Sequence, residues 1–178
     1  SIFEHDVLDN ITEDSFRKHM TVNLLSPMQL SASLVEHARA RRDKGEIIGR
    51  GRLNIVNILD QKLENPNPDH MSYTMSKYGL AGMSDTLARS LAHDGIRCNS
   101  VSPGFVLENE GDNMGPEALA AAQAASPLGY GPCAQDVAEA VVFLAKPSAK
   151  SVTGTTIYVD SGERFNARSR DVAFDSPA

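Results

Sequence analysis

Short apolar runs that alternate with helical patterns constrain the fold of this chain most strongly. Three runs have the length and the β-branched content of buried strands, namely LNIVNIL (53–59), IRCNSVSP (96–103) and GTTIYVD (154–160). Helical spacing of apolar residues covers three further segments, namely 12–40, 72–93 and 134–145. Strands that alternate with helices predict parallel strands joined by right-handed crossovers. We therefore predict an α/β fold with a doubly wound, Rossmann-like parallel sheet.

Three strands make an incomplete sheet of this kind. A doubly wound sheet normally has about six strands, and the sequence begins at Ser1 rather than at a methionine. We therefore expect residues 1–162 to form the C-terminal two-thirds of one domain. Residues 163–178 form a polar tail, which becomes ordered only if other residues hold it.

Composition narrows the class of partner. The chain has 178 residues, of which 41% are hydrophobic, which is enough for one sizeable core. Its net charge is −6 and no basic stripe carries aromatic residues, which argues against a nucleic-acid partner. No apolar run approaches the roughly 20 residues of a membrane span. A small molecule is the expected partner.

The cysteines and histidines give no sign of a cross-link or a metal centre. Cys98 and Cys133 lie far apart without CxxC spacing, and the five histidines are scattered along the chain. We expect packing or surface roles for them, no metal, and a reducing, cytoplasmic location.

The first long helix is predicted over residues 12–40. Thr12 is a suitable N-cap, and acidic residues follow it in the first turn. Pro27 interrupts the pattern, because it cannot donate a hydrogen bond to the carbonyl of Asn23, four residues earlier. Asn23 is therefore expected at a disturbed helical turn.

The pair Tyr73 and Lys77 is the first candidate for chemistry. Ser72 is a possible cap for a helix that runs to about residue 93, and residues four apart share one helix face. Both side chains would then point beyond the end of the preceding strand, where α/β sheets bind ligands. A nearby ammonium lowers the pKa of a phenol, which would give a usable proton donor and acceptor. The pattern alone is short, and an aromatic-cation pair on an exposed face remains an alternative.

Asp60 stands where the first apolar run ends, thirteen residues before Tyr73. Two interpretations are open at this position. The carboxyl group could belong to the same site as Tyr73, or it could simply begin a turn after the strand.

Six motifs in order resemble the short-chain dehydrogenase/reductase family: VNLLSP (22–27), IVNILD (55–60), YTMSK (73–77), IRCNSVSPG (96–104), PLGYG (127–131) and VTGTTIYVDSG (152–162). The resemblance implies an NAD(P)H-dependent oxidoreductase in which Tyr73 is the catalytic acid-base and Lys77 lowers its pKa and holds the nicotinamide ribose. It assigns Asn23 to a water-linked proton relay. It implies cofactor contacts from Tyr73, Lys77, Ile58, Pro103, Gly104 and Val106.

Two departures from the family pattern affect the expected function. Most members carry serine at the position of Asp60, and an aspartate there is similar to the pteridine reductases, which reduce the C=N bond of a pterin. That similarity favours NADPH, although NADH is not excluded. The family's glycine-rich phosphate loop is not found in these residues.

Three functions follow as hypotheses. The first is a pteridine reductase-like enzyme that uses Asp60, Tyr73, Lys77 and Asn23. The second is a carbonyl or alcohol dehydrogenase of the same family, and the third is a truncated binding protein without activity. The helices at 12–40 and 73–93, with Gly79 and Gly82 allowing close approach, resemble those that pair in family dimers and tetramers.

Overall fold

A parallel three-stranded sheet forms the centre of the fold. The computed structural model describes residues 1–46, 49, 51–66, 68–106, 117, 120, 123–124 and 126–166. The strands are β1 (Asn54–Ile58), β2 (Arg97–Pro103) and β3 (Thr156–Val159), in the order β1-β2-β3. Both pairs are parallel, with Val56 beside Asn99 and Val101 beside Ile157. The predicted α/β fold with parallel strands is confirmed.

The long helices that the described part of the chain places around the strands are α1 (Glu13–Met20), α2 (Ser26–Asp43), α3 (Met71–Ser90) and α4 (Ala134–Ala145). The order along the chain places α3 between β1 and β2, and α4 between β2 and β3. A buried apolar cluster joins α2 and α3 to the sheet, and it consists of Val35, Ala38, Ile55, Ala88, Leu91, Ile96 and Cys98. Burial raises the pKa of the Cys98 thiol to about 11, as expected for a packing residue.

The predicted long helix is present, but a π turn divides it. Thr12 accepts a hydrogen bond from the Ser15 amide at 3.1 Å, which confirms the N-cap. Residues Thr21–Leu25 then form one π turn, in which the Ser26 amide donates to the Thr21 carbonyl five residues back. Pro27 lies two residues after this turn, at the start of α2. A proline that cannot join the regular ladder is a physical reason for the wider turn.

The start of α3 corrects one sequence prediction. The helix begins at Met71, so Ser72 lies inside its first turn and is not the cap. The Asp6 side chain accepts a hydrogen bond from the Ser72 amide at 3.0 Å, and the backbones of Asp6 and His70 form a parallel bridge. A residue 66 positions away thus caps α3, which local sequence patterns cannot reveal.

Gly79 allows close packing within the chain. A Cβ atom at this position would lie 2.7 Å from Cδ2 of Leu24, on the π turn. A Cβ at Gly82 would meet no atom within 4 Å. The two glycines predicted to act together therefore have different surroundings.

One sequence prediction concerns residues that lie largely outside the described part of the chain, namely the polar tail, of which residues 167–178 fall there. Within the described ranges, no helix is both long enough and apolar enough to cross a membrane.

Candidate active site

The candidate site lies where β1 and β2 end and α3 begins. Asp60 lies two residues after the end of β1, and Tyr73 and Lys77 are one turn apart on α3. Tyr73 is 6% exposed and Lys77 is 4% exposed. The end of the first strand and the start of the next helix thus bring the three predicted side chains together.

A short hydrogen bond joins Tyr73 to Asp60. The Tyr73 hydroxyl donates to Oδ2 of Asp60 at 2.6 Å, a distance typical of a hydroxyl paired with a carboxylate. The other oxygen, Oδ1, accepts from the Lys62 amide at 2.8 Å and caps the 3₁₀ turn Gln61–Leu63. Asp60 therefore begins the turn and also contacts Tyr73, because each carboxylate oxygen has its own partner, and its part in a reaction stays a prediction. The turn fixes the orientation in which the carboxylate meets Tyr73.

Lys77 is buried beside Tyr73. Its Nζ atom donates to the Ile58 carbonyl at 2.7 Å and lies 5.6 Å from the centre of the Tyr73 ring. Burial lowers the pKa of the Lys77 ammonium, and the charge of Asp60 opposes part of this effect. The strand carbonyl and the helix thus hold a cationic donor next to the phenol.

Asn23 contacts the site through its neighbour Ser76. Its Nδ2 donates to Oγ of Ser76 at 3.0 Å and to the Ile2 carbonyl at 2.9 Å, and its Oδ1 accepts from the Ile2 amide at 2.8 Å. Ser76 lies on α3 directly before Lys77. Among the described residues, no hydrogen bond joins Asn23 to Lys77. The Asn23 side chain therefore ties the N-terminal segment to α3, and the proton relay stays a prediction.

The ends of β1 and β2 lie side by side, with Ile58 paired to Val101, and we call the two strand ends the walls of the crevice in which α/β sheets bind ligands. The Gly104 amide donates to the Val159 carbonyl at 2.9 Å. A Cβ at Gly104 would lie 2.8 Å from the Cα atom of Asp160, so this position needs glycine. Pro103 and Val106, on either side, are half-buried. The predicted cofactor residues from β2 thus share one edge of the sheet with Ile58.

Sequence patterns did not reveal the aromatic contacts of the N-terminal segment. The Phe3 ring stacks on His70 at 3.9 Å and meets the Tyr73 ring edge-on at 4.7 Å. Phe3 is 43% exposed, and Lys62 Nζ lies 5.1 Å from its ring centre. The sequence shows only an aromatic residue before the first helix, and nothing local connects it to Tyr73.

A family model supports the resemblance. The model described as enoyl-(acyl carrier protein) reductase matches residues 3–163. The chain belongs to the short-chain dehydrogenase/reductase family. This confirms the family that the six motifs predicted.

Curated relatives agree with this short-chain dehydrogenase/reductase assignment. The chain is 33% identical over 156 residues to (3R)-3-hydroxyacyl-CoA dehydrogenase of Rattus norvegicus, which covers 85% of this chain and 59% of the relative. It is 33% identical over 150 residues to 3-oxoacyl-[acyl-carrier-protein] reductase FabG of Rickettsia felis, with coverages of 84% and 58%. The chain thus spans about three-fifths of the length of these relatives.

Solved short-chain dehydrogenase/reductase structures share the fold. FolM alternative dihydrofolate reductase 1 of Brucella suis, in complex with NADP, superposes with a TM-score of 0.77 at 27% identity. The match covers 96% of this chain and 64% of the FolM chain. The Brucella canis FolM, also complexed with NADP, gives the same TM-score and identity.

Proposed function

We propose that this chain carries the proton-transfer half of an NADPH-dependent reductase that acts on a C=N or C=O bond of a small molecule. The observation that carries the proposal is the 2.6 Å hydrogen bond between Tyr73 and Asp60, with Lys77 one helical turn away. Reduction of either bond needs a hydride at carbon and a proton at the heteroatom. These side chains supply and guide the proton.

The residues present fit a nicotinamide cofactor. An ammonium has three N–H donors, and among the described residues Lys77 hydrogen-bonds one acceptor, the Ile58 carbonyl. Its geometry therefore suits a ribose diol, with Pro103, Gly104 and Val106 forming the opposite wall. When bound, the cofactor supplies the hydride. The NADP in the FolM structures supports NADPH, and NADH remains the alternative.

The proton would leave from the Tyr73 hydroxyl. That hydroxyl has one hydrogen, which it donates to Asp60, so transfer to a substrate atom bound beside it requires this hydrogen to turn from the carboxylate to the substrate. Lys77 favours the phenolate that remains after transfer, because its positive charge is held close to the ring. Asn23 is proposed to keep this part of α3 in place and to support the return of a proton from water.

A pterin-like ring is the leading substrate. A carboxylate accepts a hydrogen bond from a ring N–H, and a protonated carboxyl group donates one to a ring nitrogen, so Asp60 can pair with either kind of ring atom. The exposed Phe3 ring beside Tyr73 offers an aromatic surface to a planar ligand. The alternative dihydrofolate reductase activity named for FolM supports this class.

A simple carbonyl compound is the second candidate. The names of the relatives support it, since one is a hydroxyacyl-CoA dehydrogenase and another a 3-oxoacyl reductase. In this case Asp60 would have no special part in the choice of substrate.

A substrate comparison with matched tyrosine variants tests the proposal. The native protein is assayed with NADPH and either a dihydropterin or a simple ketone, by the loss of NADPH absorbance. Tyr73→Phe should lower kcat by about 10²–10⁴-fold, the usual contribution of a positioned acid. Tyr78→Phe is the control, because Tyr78 lies on the same helix with its hydroxyl on the Leu63 carbonyl.

The outcomes separate the candidates. Turnover of the dihydropterin that Asp60→Ser shifts toward ketones would support the pterin-like class. Turnover of ketones alone, unaffected by Asp60→Ser, would favour the second candidate. Full activity of Tyr73→Phe would contradict the assignment of the proton donor, and absence of any turnover or NADPH binding would favour a non-enzymatic protein.

We also propose a cytoplasmic homodimer or homotetramer. The π turn and α2 present exposed apolar side chains at Val22, Leu25, Met28 and Leu30. Leu25 and Met28 line one groove, and neighbouring exposed apolar side chains are a common sign of an interface between subunits.

A further inference from the structure

A rigid turn follows β3 and reaches toward the candidate site. Asp160 is 3% exposed, and its carboxylate accepts from the Gly162 amide at 3.1 Å and from the Arg164 amide at 3.2 Å. Arg164 Nη1 also donates to Asp160 at 2.8 Å. Gly162 has a φ of +83°, and a Cβ there would lie 3.1 Å from Pro127. The turn is therefore held from both sides, and it fixes the direction of the next side chain, Glu163.

Glu163 joins both walls of the crevice. Its Oε2 accepts a hydrogen bond from the Phe105 amide at 2.8 Å, and its Oε1 accepts from Nε2 of Gln61 at 3.2 Å. Phe105 directly follows Gly104 at the end of β2. Gln61 directly follows Asp60 at the end of β1, and it is 6% exposed. One carboxylate thus links the ends of three strands.

Gly104 and the loop after Asp60 pack closely around the Glu163 carboxylate and the residues that follow it. A Cβ at Gly104 would lie 2.6 Å from Glu163 Oε2, so the lack of a side chain at Gly104 leaves room for the carboxylate beside the backbone. A second hydrogen bond joins the segment 163–166 to the loop that begins at Asp60. In it, Asn65 Nδ2 donates to the Asn166 carbonyl at 2.6 Å. Tyr158 also donates to Glu64 of this loop. The segment 163–166 is therefore fastened across the loop that begins at Asp60.

We propose that Glu163 is a positioning residue that sets the separation between the Asp60 side of the site and the Gly104–Val106 wall. The inference rests on the proposed function. Through Gln61 it fixes the turn whose cap, Asp60, receives the Tyr73 hydroxyl. Through Phe105 it fixes the backbone proposed to meet the nicotinamide. Both reacting partners would then be aligned by one side chain that touches neither.

The two hydrogen bonds of the Glu163 carboxylate predict different defects. We call the bond to the Phe105 amide the cofactor arm and the bond to Gln61 the Asp60 arm. Glu163→Ala removes both acceptors, so we expect the Kd for NADPH to rise about fivefold, the effect of one lost hydrogen bond. We also expect kcat to fall about ten- to hundredfold, because small displacements of reacting groups are costly. Gln61→Ala removes only the Asp60 arm, so kcat should fall while the Kd for NADPH stays within about twofold of the wild type.

Conservative and control variants separate positioning from general stability. Glu163→Gln keeps an oxygen for the Phe105 amide, and the Gln61 amide can turn to offer its own oxygen, so this variant should recover most of kcat and Kd. Glu139→Ala, on the exposed face of α4, removes a carboxylate that pairs with Gln135 and should change neither constant. The Kd is measured by fluorescence titration of the native protein with NADPH, and kcat by NADPH absorbance.

A double-mutant cycle completes the test. The Glu163→Ala and Gln61→Ala variant should have the kcat of Glu163→Ala alone, since both changes break the same arm. Additive losses, or unchanged kcat and Kd in Glu163→Ala, would overturn the inference. If Glu163→Ala does not fold, Gln61→Ala and Glu163→Gln still decide it, since a normal kcat in Gln61→Ala would also overturn it.

Failure of the proposed function gives a different result. Inactive Tyr73→Phe with normal Glu163→Ala would contradict only the positioning role. Active Tyr73→Phe, or no NADPH binding by the native protein, would contradict the proposed function and the inference with it.

Discussion

At the scale of single residues, the site places an ammonium where burial opposes its charge. Lys77 is 4% exposed and its pKa is lowered by burial. A buried cation without a full set of partners weakens folding, although it can serve catalysis. We therefore expect Lys77 to lower the free energy of unfolding and to be needed for activity.

Replacing Lys77 should separate these two effects. Lys77→Met should abolish reductase turnover, while its free energy of unfolding stays within about 1 kcal/mol of the wild type or exceeds it. We expect the relieved desolvation to offset the lost hydrogen bond to Ile58, because the two effects have opposite signs. Chemical unfolding at neutral pH, beside an NADPH assay, measures both quantities.

The stability difference should also depend on pH. The pKa of Lys77 is lower in the folded state than the ordinary value of 10.5, so between these two values the unfolded chain binds more protons. Unfolding free energy then rises with pH for the wild type relative to Lys77→Met, and the gain is complete above 10.5. A difference that stays constant from pH 7 to pH 11, or a variant several kcal/mol less stable, would contradict this account.

Residue patterns predicted part of the candidate site. Tyr73, Lys77 and Asp60 lie within one strand-loop-helix segment, so helix periodicity and the strand end bring them together. Phe3 and Glu163 were missed because their partners are distant in sequence, with Gln61 and Glu163 separated by 102 positions. Only the folded sheet brings such residues into contact.

At the scale of elements, the contact between the π turn and α3 depends on one of two nearby glycines. Gly82→Ala should raise the free energy of unfolding by up to about 1 kcal/mol, because a glycine in a helix interior is unfavourable and the site is open. Gly79→Ala gains the same propensity but must displace Leu24, and overpacking costs about 1–3 kcal/mol. Denaturant unfolding at one protein concentration should rank Gly79→Ala below Gly82→Ala.

A compensating change checks the cause. Leu24→Ala should lessen the cost of Gly79→Ala, because it removes the atom that the new Cβ would meet at 2.7 Å. Equal stability of the two alanine variants would show that Leu24 simply moves aside.

Element boundaries were predicted well where the cause is local and poorly where it is not. Pro27 and Thr12 act within a few residues, so the disturbed turn and the first N-cap followed from the sequence. The start of α3 did not, because Asp6 reaches its first turn from the N-terminal segment. The same segment carries Ile2 and Phe3 to Asn23 and Tyr73, and it has no regular structure to predict.

At the scale of the whole molecule, the fold class followed from the alternation of strands and helices. The exposed apolar side chains of the π turn and α2 bear on how copies of the chain assemble. Leu25 and Met28 are 39% and 46% exposed and line one groove with Met83 of α3. Side chains of this kind lose contact with water when two copies pair.

A charge placed in this groove should weaken the assembly. The native protein is expected to show a molar mass two or four times that of its polypeptide in light scattering, with the polypeptide mass read by mass spectrometry. Met28→Glu should lower the molar mass at micromolar concentration, because an interface that buries this carboxylate must strip it of water. Leu128→Glu is the control, since Leu128 is 61% exposed and outside the groove. A monomeric native protein, or equal effects of both variants, would show that the face between the π turn and α3 is not where subunits meet.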